Sequence, residues 1–164
     1  MDTLDALNQV AEFHRTFKHP ILPEPAIPSE TRCRLRVELL AEELKELQQA
    51  IADNDIVEIA DALCDIQYVL SGAVLEFGLG KNFRELFDEV QRSNMSKTCK
   101  TVEEAEATMA FYKKEKGIDS YYEKSGEVYL VYRKSDNKTL KSVKYSPADL
   151  KSILDKQVMG KPAN

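Results

Sequence analysis

The chain has 164 residues, of which 43% are hydrophobic and 31% charged, a composition that favours one soluble globular domain with a single core. A formal net charge of -5 argues against a sequence-independent nucleic-acid binder, which needs a basic surface. No apolar run is long enough for a membrane span, and three cysteines without metal-ligand spacing indicate reduced thiols in a cytoplasmic protein.

The first half of the chain predicts three helices. Apolar residues recur at helical spacing over 3–18, and the four prolines within 19–28 then predict an extended connector. A long helix is expected over 29–52, with a serine at its start as the capping residue. After a polar turn, an aspartate and a glutamate three residues apart resemble a capping pair for a helix over 55–78.

The apolar residues of this third helix form one stripe, which predicts its core face. The stripe consists of Ile59, Leu63, Ile66, Leu70 and Val74. Small side chains beside the stripe would allow a second helix to approach closely, namely Ala60, Cys64 and Ser71.

The second half changes character along its length. Helices are expected over 82–92 and 101–117, the second opened by a Thr-Glu capping box and closed by a glycine. The segments 121–133 and 139–145 are rich in tyrosine and valine and predict short strands. The sequence Ser-Pro-Ala-Asp at 146–149 caps a short final helix.

These elements predict a mainly α fold in one domain. The helical core is expected over about 3–117. A small β-hairpin, or three strands, and a short helix would form an appendage over about 120–157, rather than a second domain.

Three glutamates of the second helix share one helix face. Residues three or four positions apart lie on the same side, so Glu42, Glu43 and Glu46 present their carboxylates together. Helical glutamates usually form only a solvated surface, and that interpretation fits Glu42 well when it is taken alone.

Two aspartates of the third helix are harder to explain as a solvated surface. Asp61 and Asp65 lie within the nearly continuous apolar segment 56–75, although aspartate is a poor helix former. Clustered like charges repel one another and lose hydration there, whereas a hard divalent cation with oxygen ligands would resolve the conflict. A tight turn makes the two helices antiparallel, so their acidic faces can converge on metal ions suited to phosphoryl chemistry.

The order of these motifs resembles the all-α nucleoside triphosphate pyrophosphatases, including the MazG-like and phosphoribosyl-ATP pyrophosphohydrolase-like proteins. The core of the resemblance is Glu-Glu-Leu-Lys-Glu-Leu at 42–47 followed by Glu-x-x-Asp at 58–61. Further segments are Glu-Phe-His-Arg at 12–15, Leu-Arg at 35–36 and Glu-Val-Gln-Arg-Ser-Asn-Met-Ser-Lys at 89–97. The similarity covers roughly residues 5–97.

The resemblance implies a Mg²⁺ site, with Mn²⁺ as an alternative ion. Glu43 and Glu46 match the first pair of ligands and the catalytic carboxylates, and Glu42 is an expected third ligand. On the next helix Glu58 and Asp61 match the Glu-x-x-Asp motif literally. A second register instead makes Asp65 the final ligand, and all three are retained as candidates.

The resemblance also implies a set of substrate-binding residues. The candidates are Phe13, His14, Arg36, Tyr68, Arg92, Asn94 and Lys97. Phe13 is equally compatible with the core and His14 with a buried structural role. The last three can also be explained as a polar helix C-terminus.

The implied activity is Mg-dependent hydrolysis of a nucleoside triphosphate to the monophosphate and pyrophosphate, by attack of an activated water between the α and β phosphates. Deoxynucleotides such as dUTP or dCTP are the expected substrates, in a house-cleaning role. The resemblance further implies a homodimer or a dimer of dimers, with no nucleic-acid or membrane partner.

Three alternatives remain open at this point. The chain could be a phosphoribosyl-ATP pyrophosphohydrolase of histidine biosynthesis. It could be a non-catalytic helical dimer that binds nucleotides or a partner protein, although such a module has no need of Asp61 and Asp65 in an apolar helix. It could also be a regulatory subunit that binds metal without activity.

Overall fold

The structure is a computed structural model that describes residues 4–159. It is mainly helical with one two-stranded sheet, which confirms the predicted fold class. Residue 3, where the first helix is predicted to begin, lies outside the described residues. The elements are α1 (Ala6–Thr16), α2 (Glu30–Ala52), α3 (Ile56–Glu76), α4 (Phe83–Met95), α5 (Val102–Lys116), β1 (Ser120–Ser125), β2 (Val128–Arg133) and α6 (Leu150–Met159).

The chain divides into two compact units. The first extends to Phe83 and contains α1, α2 and α3, and the second begins at Arg84. Helix α5, which the sequence assigned to the helical core, therefore lies in the same unit as the hairpin. No helix within 4–159 is long and apolar enough to cross a membrane.

In the first unit, α2 and α3 pack against each other as an antiparallel pair. The turn between them is tight because Asn54 adopts a left-handed conformation, with φ of 54°. The Asp55 side chain then accepts hydrogen bonds from Val57 N at 2.9 Å and Glu58 N at 3.2 Å. This is the predicted N-cap of α3, whereas Ser29 makes no side-chain capping bond to α2.

The proline-rich connector is held against the C-terminal end of α3 by backbone hydrogen bonds. Leu22 N donates to Leu75 O at 3.0 Å, and Ala26 N donates to Phe77 O at 3.1 Å. Gly78 ends this region with φ of +69°, and a Cβ built there would lie 1.8 Å from Glu24 O. Only glycine therefore fits at this position.

The predicted core stripe of α3 is only partly buried in the single chain, with Ile59 and Ile66 half-buried. Val74 is buried, but Leu63 is 52% exposed and Leu70 is 39% exposed. The buried apolar cluster of this unit is instead formed by Val10, Ala11 and Leu75. A layer of three helices covers only one side of α3, so the apolar side chains on its other side have no partner among residues 4–159.

The second unit is organised around α5 and the hairpin. Thr101 accepts a hydrogen bond from Glu104 N at 3.2 Å, which confirms the predicted cap, and Gly117 ends α5 with φ of +64°. The Glu104 carboxylate in turn accepts from Lys100 N at 3.2 Å. A buried apolar cluster of this unit consists of Cys99, Ala105, Val131 and Leu140.

The sheet is an antiparallel hairpin in which Ser120 pairs with Arg133 and Ser125 with Val128. Gly126 supplies the positive φ that its two-residue turn requires. The segment 139–145, predicted as a strand, forms only a single bridge between Thr139 and Tyr132.

Candidate active site

The antiparallel packing of α2 and α3 determines which acidic residues meet. Side chains at equal distances from the turn lie level with each other in such a helix pair. Glu43 and Asp65 are equally far from Asn54 along the chain, and Glu46 and Asp61 nearly so. Glu58 instead lies level with Ala50, close to the turn.

The electrostatics of Glu43 reflect this arrangement. Burial raises the pKa of the Glu43 carboxyl group, and the negative charges of Glu46, Asp65, Glu42 and Asp61 raise it further. Glu58 is not among the groups that act on Glu43. The structure therefore brings five of the six candidate ligands into one electrostatic neighbourhood and leaves Glu58 at its edge.

One oxygen of Glu43 lacks a hydrogen-bond partner. Glu43 Oε2 is buried and accepts no hydrogen bond from the protein. A buried carboxylate oxygen without a partner loses its hydration without compensation. A hard cation would supply the missing interaction and screen the neighbouring charges, so these residues fit a Mg²⁺ ion.

The carboxylates are not already closed around a metal position. Among residues 4–159, no group of three or more acidic, histidine or cysteine side chains is arranged to hold an ion. Glu42, Glu46, Asp61 and Asp65 are all exposed, so their side chains have the rotamer freedom to turn toward a cation.

An aromatic pair adjoins the acidic residues. Tyr68 lies one helical turn after Asp65, is 40% exposed and meets the Phe13 ring edge-on, with ring centroids 5.6 Å apart. Phe13 also stacks on His19 at 5.7 Å with an interplanar angle of 17°. Phe13 and Tyr68 are thus brought together beside the carboxylates, in an arrangement that offers ring faces to a planar ligand.

His14 and Arg36 belong to a buried ion network. His14 is 2% exposed, and its Nδ1 lies 2.9 Å from Pro20 O, so Nδ1 carries the proton and donates. Its Nε2 is then the acceptor for the Arg36 guanidinium at 3.4 Å. Burial lowers the pKa of His14, and the Arg36 charge lowers it further against the opposing effect of the Pro20 bond.

Glu76 is the centre of this network. It is 1% exposed and accepts hydrogen bonds from both Arg32 and Arg36. Burial alone would raise the pKa of Glu76, but the two guanidinium groups outweigh it and hold the pKa below its ordinary value. Both His14 ring nitrogens and Arg36 Nη2 are therefore engaged within the protein, whereas Arg36 Nε is buried without a hydrogen-bond partner. Arg36 lies two helical turns from Glu43 along α2.

Arg32 and Glu76 are absent from the sequence-based candidates. A signal for them existed, because Arg32 and Arg36 are four residues apart on one helix face and Glu76 follows directly after an apolar run. Arg32 and Glu76 are also equally far from Asn54, as Glu43 and Asp65 are.

The remaining three candidates lie in the second unit, at the C-terminal end of α4 and just beyond it. Arg92 pairs with Glu89 at 2.7 Å and also donates to Pro147 O at 3.0 Å. Glu89 accepts hydrogen bonds from the Arg92 side chain and from the Asp149 backbone N–H. These bonds lower the pKa of Glu89 to about 2, and the one from Arg92 has the larger effect. Asn94 Oδ1 accepts from Lys97 Nζ at 2.7 Å.

Comparison with known proteins finds similarity over the first unit and most of α4. The sequence model of the phosphoribosyl-ATP pyrophosphohydrolase family matches residues 10–94. An uncharacterized protein of Acanthamoeba polyphaga mimivirus is 32% identical over 92 residues. That similarity covers 54% of this chain but only 37% of the viral protein.

Proposed function

The chain belongs to the phosphoribosyl-ATP pyrophosphohydrolase family, part of the MazG-like all-α nucleoside triphosphate pyrophosphatase superfamily, and we propose that it hydrolyses a nucleoside triphosphate to the monophosphate and pyrophosphate. The observation that carries the proposal is the buried, unpartnered Glu43 Oε2 among Glu46, Asp61 and Asp65. Such a group of carboxylates is unfavourable by itself and favourable around divalent cations.

In this proposal Glu43, Glu46, Asp61 and Asp65 hold Mg²⁺, and Glu42 is an accessory ligand. The bound ion supplies positive charge to the triphosphate and makes water a stronger nucleophile. One of these carboxylates would accept the proton of the attacking water.

The aromatic pair supports a nucleotide rather than a simple polyphosphate as the substrate. Phe13 and Tyr68 offer ring faces beside the carboxylates, so a base can stack there while the triphosphate reaches the metal. Their rings do not distinguish one base from another. We propose dUTP or dCTP as first substrates, and phosphoribosyl-ATP is the second candidate because the matching family bears that name.

The test is a panel of nucleoside triphosphates, deoxynucleotides and phosphoribosyl-ATP incubated with the purified protein and Mg²⁺, with pyrophosphate release measured. Release from at least one compound, dependent on Mg²⁺, supports the proposal. A folded protein that releases no pyrophosphate from any compound contradicts it and favours a binding or regulatory role.

Matched variants then test the ligand assignment. Glu46→Gln and Asp65→Asn should each reduce turnover by more than about 100-fold, because loss of a ligand costs more than loss of its supporting hydrogen bonds. Glu58→Gln, on the same face of α3 but level with Ala50, should keep most of the activity. Equal loss in all three variants would instead return Glu58 to the metal site.

We also propose that the chain forms a homo-oligomer. Two apolar rows with two-turn spacing face outward in the first unit, and we call them the outer apolar rows. They consist of Val37, Leu44 and Ile51 on α2 and of Ile56, Leu63 and Leu70 on α3. Exposed rows of this length on neighbouring helices are typical of surfaces that pack against other helices.

A further inference from the structure

The second unit contains a cleft that no step of the proposed reaction uses. It has a volume of 490 Å³ and lies between α5 and β1. Met109, Ala110, Ile118 and Tyr122 form its apolar walls, and Ser120 lines it as well. The family match ends at residue 94, so this cleft lies outside the region of similarity.

The outer edge of β1 is unpaired along this cleft. Lys134 N donates to Asp119 O at 2.9 Å, so alternate residues from Asp119 onward direct their backbone groups toward β2. Ser120, Tyr122 and Lys124 therefore direct theirs away from β2. Within residues 4–159, none of these three makes a backbone hydrogen bond outside the hairpin.

The backbone hydrogen bonds at the opposite edge of the hairpin, along β2, follow the same alternation of inward and outward residues. Val131 O accepts from Leu140 N at 2.8 Å, and Arg133 N donates to Lys138 O at 2.9 Å. These two residues pair with Tyr122 and Ser120. Their outward groups are thus satisfied by the following segment, whereas the equivalent groups of β1 are not.

A buried hydroxyl group in the cleft also lacks a partner. Ser120 is 6% exposed, and its Oγ makes no hydrogen bond in the structure. A buried hydroxyl group without a partner is costly in a protein interior. The Ser120 Oγ is closed to solvent, so a polar ligand atom in the cleft would satisfy it only after a rotation of the Ser120 side chain.

The charges around the cleft differ between its two ends. Helix α5 and β1 run in opposite directions, so Lys113 and Lys134 lie at the Ser120 end and Glu106 at the other. Lys113 pairs with Asp119 at 2.7 Å, whereas Lys134 forms no ion pair with another described residue. Asp119 also lines this end, and its pKa is lowered by the hydrogen bond from Lys113 and by the charges of Lys113 and Lys134. Two lysines against one aspartate leave the Ser120 end with a net positive charge, which is complementary to an added negative charge.

We propose that this cleft binds an extended peptide segment, which adds as a third strand antiparallel to β1. Its backbone would pair with Tyr122 and Lys124, the accessible part of this edge, as in other cases of strand addition to an open sheet edge. An apolar side chain of the peptide would fill the space beside Met109 and Ala110. An acidic residue or a C-terminal carboxylate, further along the peptide, would meet Lys134.

The experiment selects a displayed library of random linear peptides on the full-length protein. Enriched peptides are then synthesised with a fluorescent label and titrated by fluorescence anisotropy. The expected peptides carry an apolar residue followed by an acidic one, and their binding should slow amide exchange at Tyr122 and Lys124.

Two pairs of variants test the site. Ala110→Arg places a bulky side chain in the cleft from an exposed position, and Lys134→Glu reverses the charge at its end. Each should weaken binding by about tenfold or more. Ala107→Arg and Lys138→Glu make the same changes at exposed positions outside the cleft, and they should leave the affinity nearly unchanged.

Circular dichroism melting verifies that all four variants fold. The proposal is overturned if no peptide is enriched on the protein, or if enriched peptides bind the Ala110→Arg variant as tightly as the wild-type chain. Binding that leaves the amides of β1 unprotected would also exclude strand addition.

Discussion

Glu43 combines two properties at the scale of a single residue. Its Oε2 is buried without a hydrogen-bond partner, and its pKa is raised by burial and by Glu46, Asp65, Glu42 and Asp61. The carboxylate is therefore costly in the metal-free protein and valuable once a cation is bound. Residues that conflict with local stability in this way are typical of functional sites.

Glu43→Gln should stabilise the metal-free protein. Because folding raises the pKa of Glu43, the ionised carboxylate opposes folding: the cost appears as pH rises above the ordinary pKa and is complete above the raised pKa. Removing the charge should gain about 1 kcal/mol, which corresponds to roughly 2–4 °C in melting temperature for a chain of this size. Thermal melting at pH 7 without metal measures the change.

Mg²⁺ provides the second half of this test. It should raise the melting temperature of the wild-type chain and raise that of the Gln variant much less. Glu38→Gln is the matched control, because Glu38 is exposed on the same helix and does not contribute to the raised pKa of Glu43. A Gln variant at position 43 that melts lower than wild type without metal would argue against the site.

At the scale of elements, the ion network around Glu76 joins three helices. His14 lies on α1, Arg32 and Arg36 on α2, and Glu76 on α3. Gly72 makes room for the network, because a Cβ there would lie 2.7 Å from an Arg36 nitrogen and 3.0 Å from His14 Nε2. The network and the aromatic pair thus occupy neighbouring turns of α3, so the position of α1 depends on both.

Glu76→Gln should destabilise the protein by about 3 kcal/mol, since it leaves buried guanidinium groups without their counter-charge. The pKa of Glu76 is lowered on folding. The stabilisation that the ionised carboxylate gives the folded state is therefore complete above the ordinary pKa of glutamate, and it is lost as pH falls through the lowered pKa. The difference in unfolding free energy between wild type and variant should therefore shrink below about pH 4.5. Urea unfolding at several pH values measures it.

The control for this prediction is Glu30→Gln. Glu30 pairs with Arg34 on the exposed surface of α2, where such pairs contribute little. A loss of stability at Glu76 that does not change with pH would mean that packing, rather than charge, holds these helices together.

The connector after α1 depends on one glycine. Gly78 and Gly126 both have positive φ, but a Cβ at Gly78 meets Glu24 O at 1.8 Å, whereas one at Gly126 meets nothing within 4 Å. Gly126→Ala should cost only backbone strain, about 1 kcal/mol. Gly78→Ala should cost about 2–4 kcal/mol, because a clash with the connector backbone adds to that strain.

Chemical denaturation of both variants compares the two costs directly. Equal losses at the two positions would show that the connector can move away from α3, and that its backbone bonds to Leu75 and Phe77 are not tightly maintained.

At the scale of the whole molecule, the outer apolar rows predict that the chain forms an oligomer. Leu44 and Leu63 are each 52% exposed and lie on adjacent helices. The uncovered face of α3 includes Leu63 and Leu70, two residues of the stripe that the sequence predicts as core. Both observations are explained if a second copy of the chain completes that core.

Leu63→Asp should therefore dissociate the oligomer. Size-exclusion chromatography with light scattering is expected to show a wild-type dimer or tetramer and a monomeric variant. Val143→Asp is the matched control, because Val143 is similarly exposed but lies in the second unit. A monomeric wild-type chain would contradict the proposal, and the outer apolar rows would then need another partner.

The sequence by itself determined the features that depend on neighbouring residues. The caps at Asp55 and Thr101, the left-handed Gly117 and the tight turn at Gly126 all follow from chemistry within a few positions. The shared acidic face of α2 and the two aspartates of α3 also follow from helical spacing alone. Whether these carboxylates bind metal stays a prediction.

Only the tertiary structure decided which faces are covered and which distant groups meet. Periodicity identifies an apolar stripe but not its partner, so it could not show that Leu63 is exposed while Val74 is buried. The bond from Arg32 to Glu76 joins residues 44 positions apart, and it exists because α2 and α3 dock in antiparallel register. The same docking leaves Glu43 Oε2 without a partner, and no local pattern contains that information.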